Sequence, residues 1–172
     1  MEHFSLNILL CTIVLASISI EPCHSNDRLI RETCSKTPNP SLCVSYIKAD
    51  PKSNNVNDVP GLGIIMAQIF QLKGRDARDI LFLILSTGRR PDIQAQLKAC
   101  LGSYDIVINS DMPVAINGFK VGKPRWAEAM ANSAVIRVSD CERSFNGKSP
   151  ITPENNITRE IAVLLLAIAR QL

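Results

Sequence analysis

The chain has 172 residues, of which 46% are hydrophobic and 20% are charged, and its formal net charge is +3. This length suits one domain with its own core, and the dispersed cations and single tryptophan argue against a nucleic-acid interface. His3 and His24 both lie in the first 25 residues, so the rest of the chain lacks the usual general base and the commonest metal ligand. We therefore expect no catalytic residue, no metal and no cofactor.

The first 25 residues are typical of a secretory signal peptide. Ile8 to Ile20 form its apolar core, and Cys23 and Ser25 are the small residues that precede a cut before Asn26. A cut after Ser19 is the alternative, because the leader has no Lys or Arg before the apolar run. We expect residues 26–172 to form a secreted protein. Since the run is too short to span a bilayer and no second span follows, we expect no membrane association after removal.

Loss of this leader would leave an even set of four cysteines, namely Cys34, Cys43, Cys100 and Cys141. Four cysteines allow three pairings. The turn sequence Pro38-Asn39-Pro40 favours a local bridge between the first two, so that Cys100 and Cys141 join two longer elements. Each bridge would contribute roughly 3–4 kcal/mol. A zinc site is disfavoured, because closely spaced cysteine pairs and histidines are both missing.

Residues 26–50 are predicted to form a hairpin of two short helices, Asp27 to Thr33 and Ser41 to Lys48, limited by the prolines between them. A polar connection follows. Apolar residues at helical spacing from Leu62 to Ile84 then predict one long helix that ends at Gly88.

Two further helices are predicted in the middle of the chain. Asp92 is the expected N-cap of the first, whose apolar stripe continues to Phe119 with Pro113 as the expected site of a bend. The second runs from Pro124 to about Phe145 with apolar residues at steps of three or four. Pro124 suits its first turn, where a missing N–H has no helical partner to lose.

The last predicted helix has Thr152 as its expected N-cap and Pro153 in its first turn. Its expected buried face comprises Ile157, Ile161, Leu164, Leu165 and Ile168. No period-two alternation is sustained, so the predicted fold class is all-α. We expect an up-and-down four-helix bundle over residues 60–172, with an N-terminal helical hairpin and two disulfides, in one domain spanning residues 26–172.

Several motifs resemble the plant invertase and pectin methylesterase inhibitor family. The string from Cys34 to Cys43 is followed by Ala49-Asp50-Pro51-Lys52-Ser53 and Gly61-Leu62-Gly63, as at the start of family members. The resemblance continues through Phe145-Asn146-Gly147 and Ser149-Pro150-Ile151-Thr152 and covers nearly the whole mature chain. It implies an N-terminal hairpin, a four-helix bundle, and pairing of the first cysteine with the second and the third with the fourth. It also implies an enzyme inhibitor rather than an enzyme.

The segment Pro124-Arg125-Trp126 is similar to the Pro-Lys-Phe segment that invertase inhibitors insert into the invertase active-site cleft. The resemblance therefore implies a secreted inhibitor of plant acid invertase (beta-fructofuranosidase) that blocks the sucrose cleft by stoichiometric binding. Arg125 would face the acidic residues of the glycosidase, and Trp126 its sugar-binding wall. We expect a monomer that forms a 1:1 complex in the apoplast, the cell wall or the vacuole.

Other interpretations stay open on sequence alone. A pectin methylesterase inhibitor, which would control de-esterification of cell-wall pectin, is the alternative function, since those relatives share the hairpin, the bridges and the bundle. Pro124 would then merely start a helix, and Trp126 would belong to the core. The pair Arg89-Arg90 would suit an acidic partner, although two solvated loop charges are the simpler interpretation. A carrier of small apolar ligands is a third class of function.

A glycosidase would need a pair of carboxylates, such as Asp105 with Asp111 or Asp140 with Glu142, but these look like surface charges. The sequence Asn156-Ile157-Thr158 is an N-glycosylation sequon, which makes Asn156 a candidate glycoprotein site in a secreted chain.

Overall fold

The computed structural model describes residues 23–172, with side chains from Asn26 onward. Seven α-helices make up most of this part of the chain: α1 (Cys23–Ser35), α2 (Pro40–Ala49), α3 (Val59–Ser86), α4 (Gln94–Ile106), α5 (Met112–Lys120), α6 (Pro124–Ser144) and α7 (Thr152–Ala169). Short 3-10 turns lie at Pro51–Asn55 and Pro91–Ile93. The predicted all-α class is confirmed. The predicted signal peptide lies outside the described residues, except that 23–25 form the first turn of α1.

The long helices alternate in direction, and each packs along two neighbours. Helix α3 contacts α7 and the α4–α5 rod, and α6 contacts the same two elements from the other side. The α1–α2 hairpin lies against α3, and the Gln171 amide donates to the Thr33 carbonyl at 3.0 Å. The predicted four-helix bundle with an N-terminal hairpin is therefore confirmed. The α5–α6 turn lies at one end of the bundle, and the α3–α4 and α6–α7 connections lie at the other.

Two disulfides cross-link the fold in the predicted pairing. Cys34 and Cys43 join the two hairpin helices with their Cα atoms 5.5 Å apart. Cys100 and Cys141 join α4 to α6 with a Cα separation of 5.0 Å. All four cysteines are at most 3% exposed, so both bridges belong to the core.

A π turn at Val107–Asp111 connects α4 to α5 and carries the rod past Pro113. Pro113 lies in the first turn of α5, where its missing N–H costs little. The Gln71 side-chain amide on α3 donates to the Ile108 carbonyl at 3.0 Å. The bend expected at Pro113 is thus replaced by a π turn just before it, and a side chain of the neighbouring α3 provides a hydrogen bond to one carbonyl of this turn.

The two predicted helix caps at Asp92 and Thr152 were wrong. Asp92 lies inside a 3-10 turn and accepts hydrogen bonds from the Arg90 guanidinium at 2.9 and 3.1 Å, so its carboxylate is engaged elsewhere. Thr152 is the first residue of α7, and its hydroxyl donates to Glu142 Oε1 at 2.6 Å. At Asp92 a charged neighbour engages the capping carboxylate, whereas Thr152 lies one residue inside the helix, whose N-cap is Ile151.

The predicted buried face of α7 is correct except at Ile157, which is 39% exposed. The interior positions of this first part of the helix belong to Asn155 and Thr158, which are 2% and 0% exposed. Both side chains bond to the Tyr104 hydroxyl at 2.8 Å. Because the Tyr104 hydroxyl offers a hydrogen-bond partner in the core, the beginning of α7 places its polar side chains inward.

Candidate functional site

The α5–α6 turn carries the segment that resembles the inhibitory segment of the family, and backbone hydrogen bonds fix its shape. The Val121 N–H donates to the Asn117 carbonyl at 3.0 Å, and the Lys123 N–H donates to the Gly118 carbonyl at 2.8 Å. Gly122 has φ +67°, a left-handed conformation that favours glycine. Helix α6 then begins at Pro124, as the sequence predicted.

Gly118 lets the start of α6 approach α5 closely. A Cβ at this position would lie 3.0 Å from the Lys123 carbonyl oxygen, 3.0 Å from Trp126 Cβ and 3.1 Å from the Ala127 nitrogen. Sequence reasoning missed this positioning residue. A glycine inside a helical apolar pattern usually has a packing reason, and that signal was present. Phe119 and Ala127, 4% and 0% exposed, flank the turn and anchor both of its ends in the core.

The turn presents its side chains to solvent. Arg125 is exposed, Pro124 is half-buried and Trp126 is 43% exposed. The Lys123 ammonium lies 4.5 Å from the centroid of the Trp126 ring, a cation–π contact worth about 0.5–1 kcal/mol at an exposed site. The interpretation of Trp126 as a core residue was wrong, because the buried side of this turn is formed by Ala127 instead.

Cations dominate this end of the bundle. Lys120, Lys123 and Arg125 are exposed, and Arg170 donates to Glu128 at 2.9 Å. An open groove beside the turn is lined by Pro124, Arg125, Glu128, Ala169, Arg170 and Leu172. These groups can bind carboxylates and stack against a planar or sugar surface. The one carboxylate in the lining of this groove, Glu128, is paired with Arg170.

The candidate carboxylates on the α4–α5 rod serve the packing of the bundle. Asp105 forms an ion pair with Arg78 of α3 at 2.9 Å. Asp111 is 7% exposed, accepts a hydrogen bond from Ser133 at 2.8 Å and lies 3.6 Å from Arg137 of α6. Each acid is bound to a helix other than its own, so these groups connect neighbouring helices.

The other candidate pair, Asp140 and Glu142, is also engaged. Asp140 pairs with Arg143 on the same helix face. Burial alone would raise the pKa of Glu142, but hydrogen bonds from Asn155, Thr152 and the Ser149 N–H outweigh it and hold the pKa below its usual value. An ionised Glu142 does not suit the role of the protonated acid of a glycosidase, and both of its oxygens already accept hydrogen bonds from the α6–α7 connection and α7. In the described residues, no three His, Cys, Asp or Glu side chains group as a metal site would need.

The sequon at Asn156 lies at the end of the bundle remote from Pro124. Asn156 is exposed, whereas Thr158 is buried against Tyr104. A glycan on Asn156 would extend into solvent from the first turns of α7, far from the α5–α6 turn. Modification of Asn156 stays a prediction.

Comparison with known proteins identifies the family. Residues 28–168 match the family described as plant invertase/pectin methylesterase inhibitor. The chain belongs to this family. The chain is 31% identical over 144 residues to the cell wall / vacuolar inhibitor of fructosidase 1 of Arabidopsis thaliana, covering 84% of this chain and 69% of that relative. It is 28% identical over 142 residues to the pectinesterase inhibitor of Actinidia deliciosa, covering 82% and 76%.

A solved structure of the same family has a similar fold. The mutant form A of a pectin methylesterase inhibitor from Arabidopsis superposes with a TM-score of 0.68 at 17% identity, covering 81% of this chain and 93% of that one. The family and its relatives are inhibitors of enzymes rather than enzymes, which confirms the predicted class. No helix in the described part of the chain is long and apolar enough to cross a membrane.

Proposed function

We propose that this protein is a secreted inhibitor of plant acid invertase, and that Pro124, Arg125 and Trp126 enter the sucrose cleft in a 1:1 complex of a monomeric inhibitor with its target. The observation that supports this most is the exposed Arg125–Trp126 pair at a helix start held in place by Gly118. The similarity to an inhibitor of fructosidase favours the same target.

The segment is ordered before it binds. Its backbone is fixed by the hydrogen bonds to Asn117 and Gly118, and Lys123 restrains the Trp126 ring. Ordering a side chain on binding costs about 0.5–1.5 kcal/mol, so a preformed segment retains more of its contact energy. The bridge between α4 and α6 limits relative motion of the helices that carry the turn.

The chemistry of the segment complements a glycosidase cleft. Such clefts contain two catalytic carboxylates, and a guanidinium can bind a carboxylate through two parallel hydrogen bonds. Arg125 supplies this group, and Lys120 and Lys123 add positive charge around it. Trp126 offers a large flat surface to the wall that normally contacts sugar. Arg and Trp are also the residues most enriched among binding hot spots.

Inhibition of pectin methylesterase is the second candidate, because a pectinesterase inhibitor is nearly as similar to this chain. In that case a face of the bundle would cover the target's cleft, Pro124 would merely start α6, and Arg125 and Trp126 would be exposed side chains without a part in inhibition. Either target places the protein in the cell wall or, for invertase, also in the vacuole. The predicted leader and the name of the Arabidopsis relative support this location.

The test is a titration of an acid invertase and of a plant pectin methylesterase with the oxidised protein at mildly acidic pH. Arg125→Ala and Trp126→Ala should each weaken invertase inhibition roughly 10- to 100-fold, the effect of losing a hot-spot side chain. Arg143→Ala is the matched control, because Arg143 lies on the same helix at the other end with a side chain 74% exposed. It should inhibit like the parent protein.

Three outcomes separate the candidates. Invertase inhibition that reaches its endpoint at one equivalent and is weakened in the two variants by this factor supports the proposal. Inhibition of the methylesterase alone, unchanged in Arg125→Ala, would replace it with the second candidate. No inhibition of either enzyme would contradict both.

A further inference from the structure

The connection between α3 and α4 is the least anchored corner of the bundle. No residue from Phe82 to Gln96 is buried, although Leu81 before it and Leu97 after it are 0% and 1% exposed. Residues 86–92 are all exposed. The α6–α7 connection, by contrast, buries Ile151 completely. A segment without buried side chains opens locally at little free-energy cost, as a protease requires of its substrate.

This corner carries the sequence Gly88-Arg89-Arg90-Pro91, and its two arginines differ. The Arg90 guanidinium donates to both carboxylate oxygens of Asp92, at 2.9 and 3.1 Å. Within the described part of the chain, Arg89 makes no ion pair. Its side chain is therefore available for the acidic specificity pocket of a trypsin-like protease.

Only one of the two peptide bonds after these arginines suits such an enzyme. The Arg90–Pro91 bond has a tertiary nitrogen without N–H, and trypsin-like proteases do not cleave before proline. The Arg89–Arg90 bond has no such protection. Gly88, with φ +62°, precedes it and gives the backbone freedom to extend.

A cut at this bond would divide the chain between its disulfides. Cys34–Cys43 lies before the cut and Cys100–Cys141 after it, so neither described bridge spans the break. The first fragment would contain the hairpin and α3, with Leu62 and Phe70 in the core, and the second would contain α4 to α7. A covalent connection keeps α3 at a high effective concentration near its partners. After the cut, packing of α3 would depend on protein concentration.

We propose that the α3–α4 connection is a processing site, at which an arginine-directed protease hydrolyses the Arg89–Arg90 bond of the folded protein and so releases α3 from the bundle. Water adds across the peptide bond, leaving a carboxylate on Arg89 and an α-amino group on Arg90. The helix lost from the bundle supports the α5–α6 turn, because Gly63 of α3 packs directly against the ring of Phe119. The expected loss of inhibition after cleavage rests on the proposed function. Cleavage of the Arg89–Arg90 bond and separation of the two fragments do not depend on it.

Limited digestion of the oxidised native protein with trypsin tests the site. The first two fragments, identified by mass, should end at Arg89 and begin at Arg90, and should separate on a gel without reductant. Arg89→Gln should slow this first cut at least tenfold, while Arg75→Gln, which removes an exposed arginine inside α3, should not. A first cut elsewhere, or an Arg89→Gln protein digested at the parental rate, would overturn the proposal.

Dilution of the nicked protein tests its separation into fragments. Its thermal unfolding midpoint should fall as the protein is diluted, whereas that of the intact protein should stay constant, because only the nicked form is a two-chain complex. Midpoints that do not change on dilution would overturn the release of α3. If the intact protein inhibits neither candidate enzyme, the proposed function fails while these two results stand.

Incubation with wall and vacuolar fluids from plant tissue tests for a physiological protease. The purified chain added to them should yield a fragment that begins at Arg90, and an inhibitor of arginine-directed proteases should suppress it. The Arg89→Gln protein should stay intact in the same fluid. Persistence of the parental chain, or a fragment with a different first residue, would contradict processing at this bond.

Discussion

Two connections of this bundle are similar in sequence but differ in how closely buried residues flank them. Gly122-Lys123-Pro124-Arg125 and Gly88-Arg89-Arg90-Pro91 each combine a glycine of positive φ, +67° and +62°, with cations and a proline. The first connection lies within residues 120–126, between the buried residues Phe119 and Ala127, whereas the second lies within the longer stretch 82–96, none of which is buried. The glycine in each connection permits the turn conformation, and the buried residues close to the turn determine how firmly that conformation is maintained.

This difference matches the two roles proposed for the connections. A segment that enters an enzyme cleft gains from being ordered beforehand, because less free energy is spent on binding. A segment that enters a protease must instead leave its native conformation. Substitutions at single residues should show which of the two connections is held in its native conformation and which can leave it easily.

The largest effect is expected from Gly118→Ala, which removes the close approach that holds the α5–α6 turn. The new methyl group would lie 3.0 Å from a backbone carbonyl, so α6 must shift, and we expect a loss of about 3 kcal/mol in the free energy of unfolding. Denaturant unfolding measures this loss, and invertase inhibition should fall with it. Gly102→Ala is the matched control, since nothing lies within 4 Å of that position, and it should stabilise by up to about 1 kcal/mol. Equal effects of the two changes would contradict the role of Gly118.

Glu142→Gln should weaken the third connection, between α6 and α7, by about 2 kcal/mol at neutral pH, because it weakens hydrogen bonds to a charged acceptor. The pKa of Glu142 in the folded protein lies below the ordinary 4.5. The stabilisation by ionised Glu142 is therefore complete above pH 4.5 and is lost as the pH falls through the lower pKa of the folded protein.

Unfolding free energies measured from neutral pH to well below pH 4.5 should converge at the acidic end for the parent and the Glu142→Gln protein. Asp140→Asn is the control, because its carboxylate is exposed and paired only on the helix surface, and it should change little. A difference between parent and variant that does not vary with pH would show that the charge of Glu142 is not the cause.

Gly88→Ala should cost about 1 kcal/mol, since an L-residue is strained at φ +62° but no neighbouring atom lies within 4 Å. The cost should appear as a small decrease in the thermal midpoint. Gly88→Asn should recover part of it, because asparagine tolerates this conformation. A cost as large as that of Gly118→Ala would mean that the α3–α4 connection is more constrained than its exposure indicates.

Leu83→Gln should have the smallest effect, within about 0.5 kcal/mol, because Leu83 is 63% exposed and both residues favour helices. Denaturant unfolding provides the measurement. A loss above 1.5 kcal/mol, comparable to that of a core residue, would show that the end of α3 is packed in solution.

Helical periodicity predicted most of the buried face of α7, including Ile161, Leu165 and Ile168, because one side of a helix must face its neighbours. It was wrong at Ile157. Spacing alone does not reveal a polar partner inside the core, and the Tyr104 hydroxyl draws Asn155 and Thr158 inward. The bundle was predictable from the sequence, whereas this polar contact between distant helices was not.

The candidate site shows the same limit. Pro124 at the first turn of α6 followed from the local chemistry of proline. The close approach of α6 to Gly118 depends on how two helices cross, which no local rule describes. The caps expected at Asp92 and Thr152 were wrong because Arg90 binds the Asp92 carboxylate and because α7 begins one residue earlier than a cap at Thr152 would allow, with Ile151 as its N-cap.

The order of the cysteines has a consequence for how the protein is made. In the secretion proposed above, the chain would enter an oxidising compartment from its N-terminal end, and Cys34, Cys43, Cys100 and Cys141 pair in the order in which they would emerge. Among these four cysteines, the first native pair would be complete before Cys100 is synthesised. Oxidation of neighbours in chain order would then give both native bridges without reshuffling of disulfides, a step that takes seconds to hours.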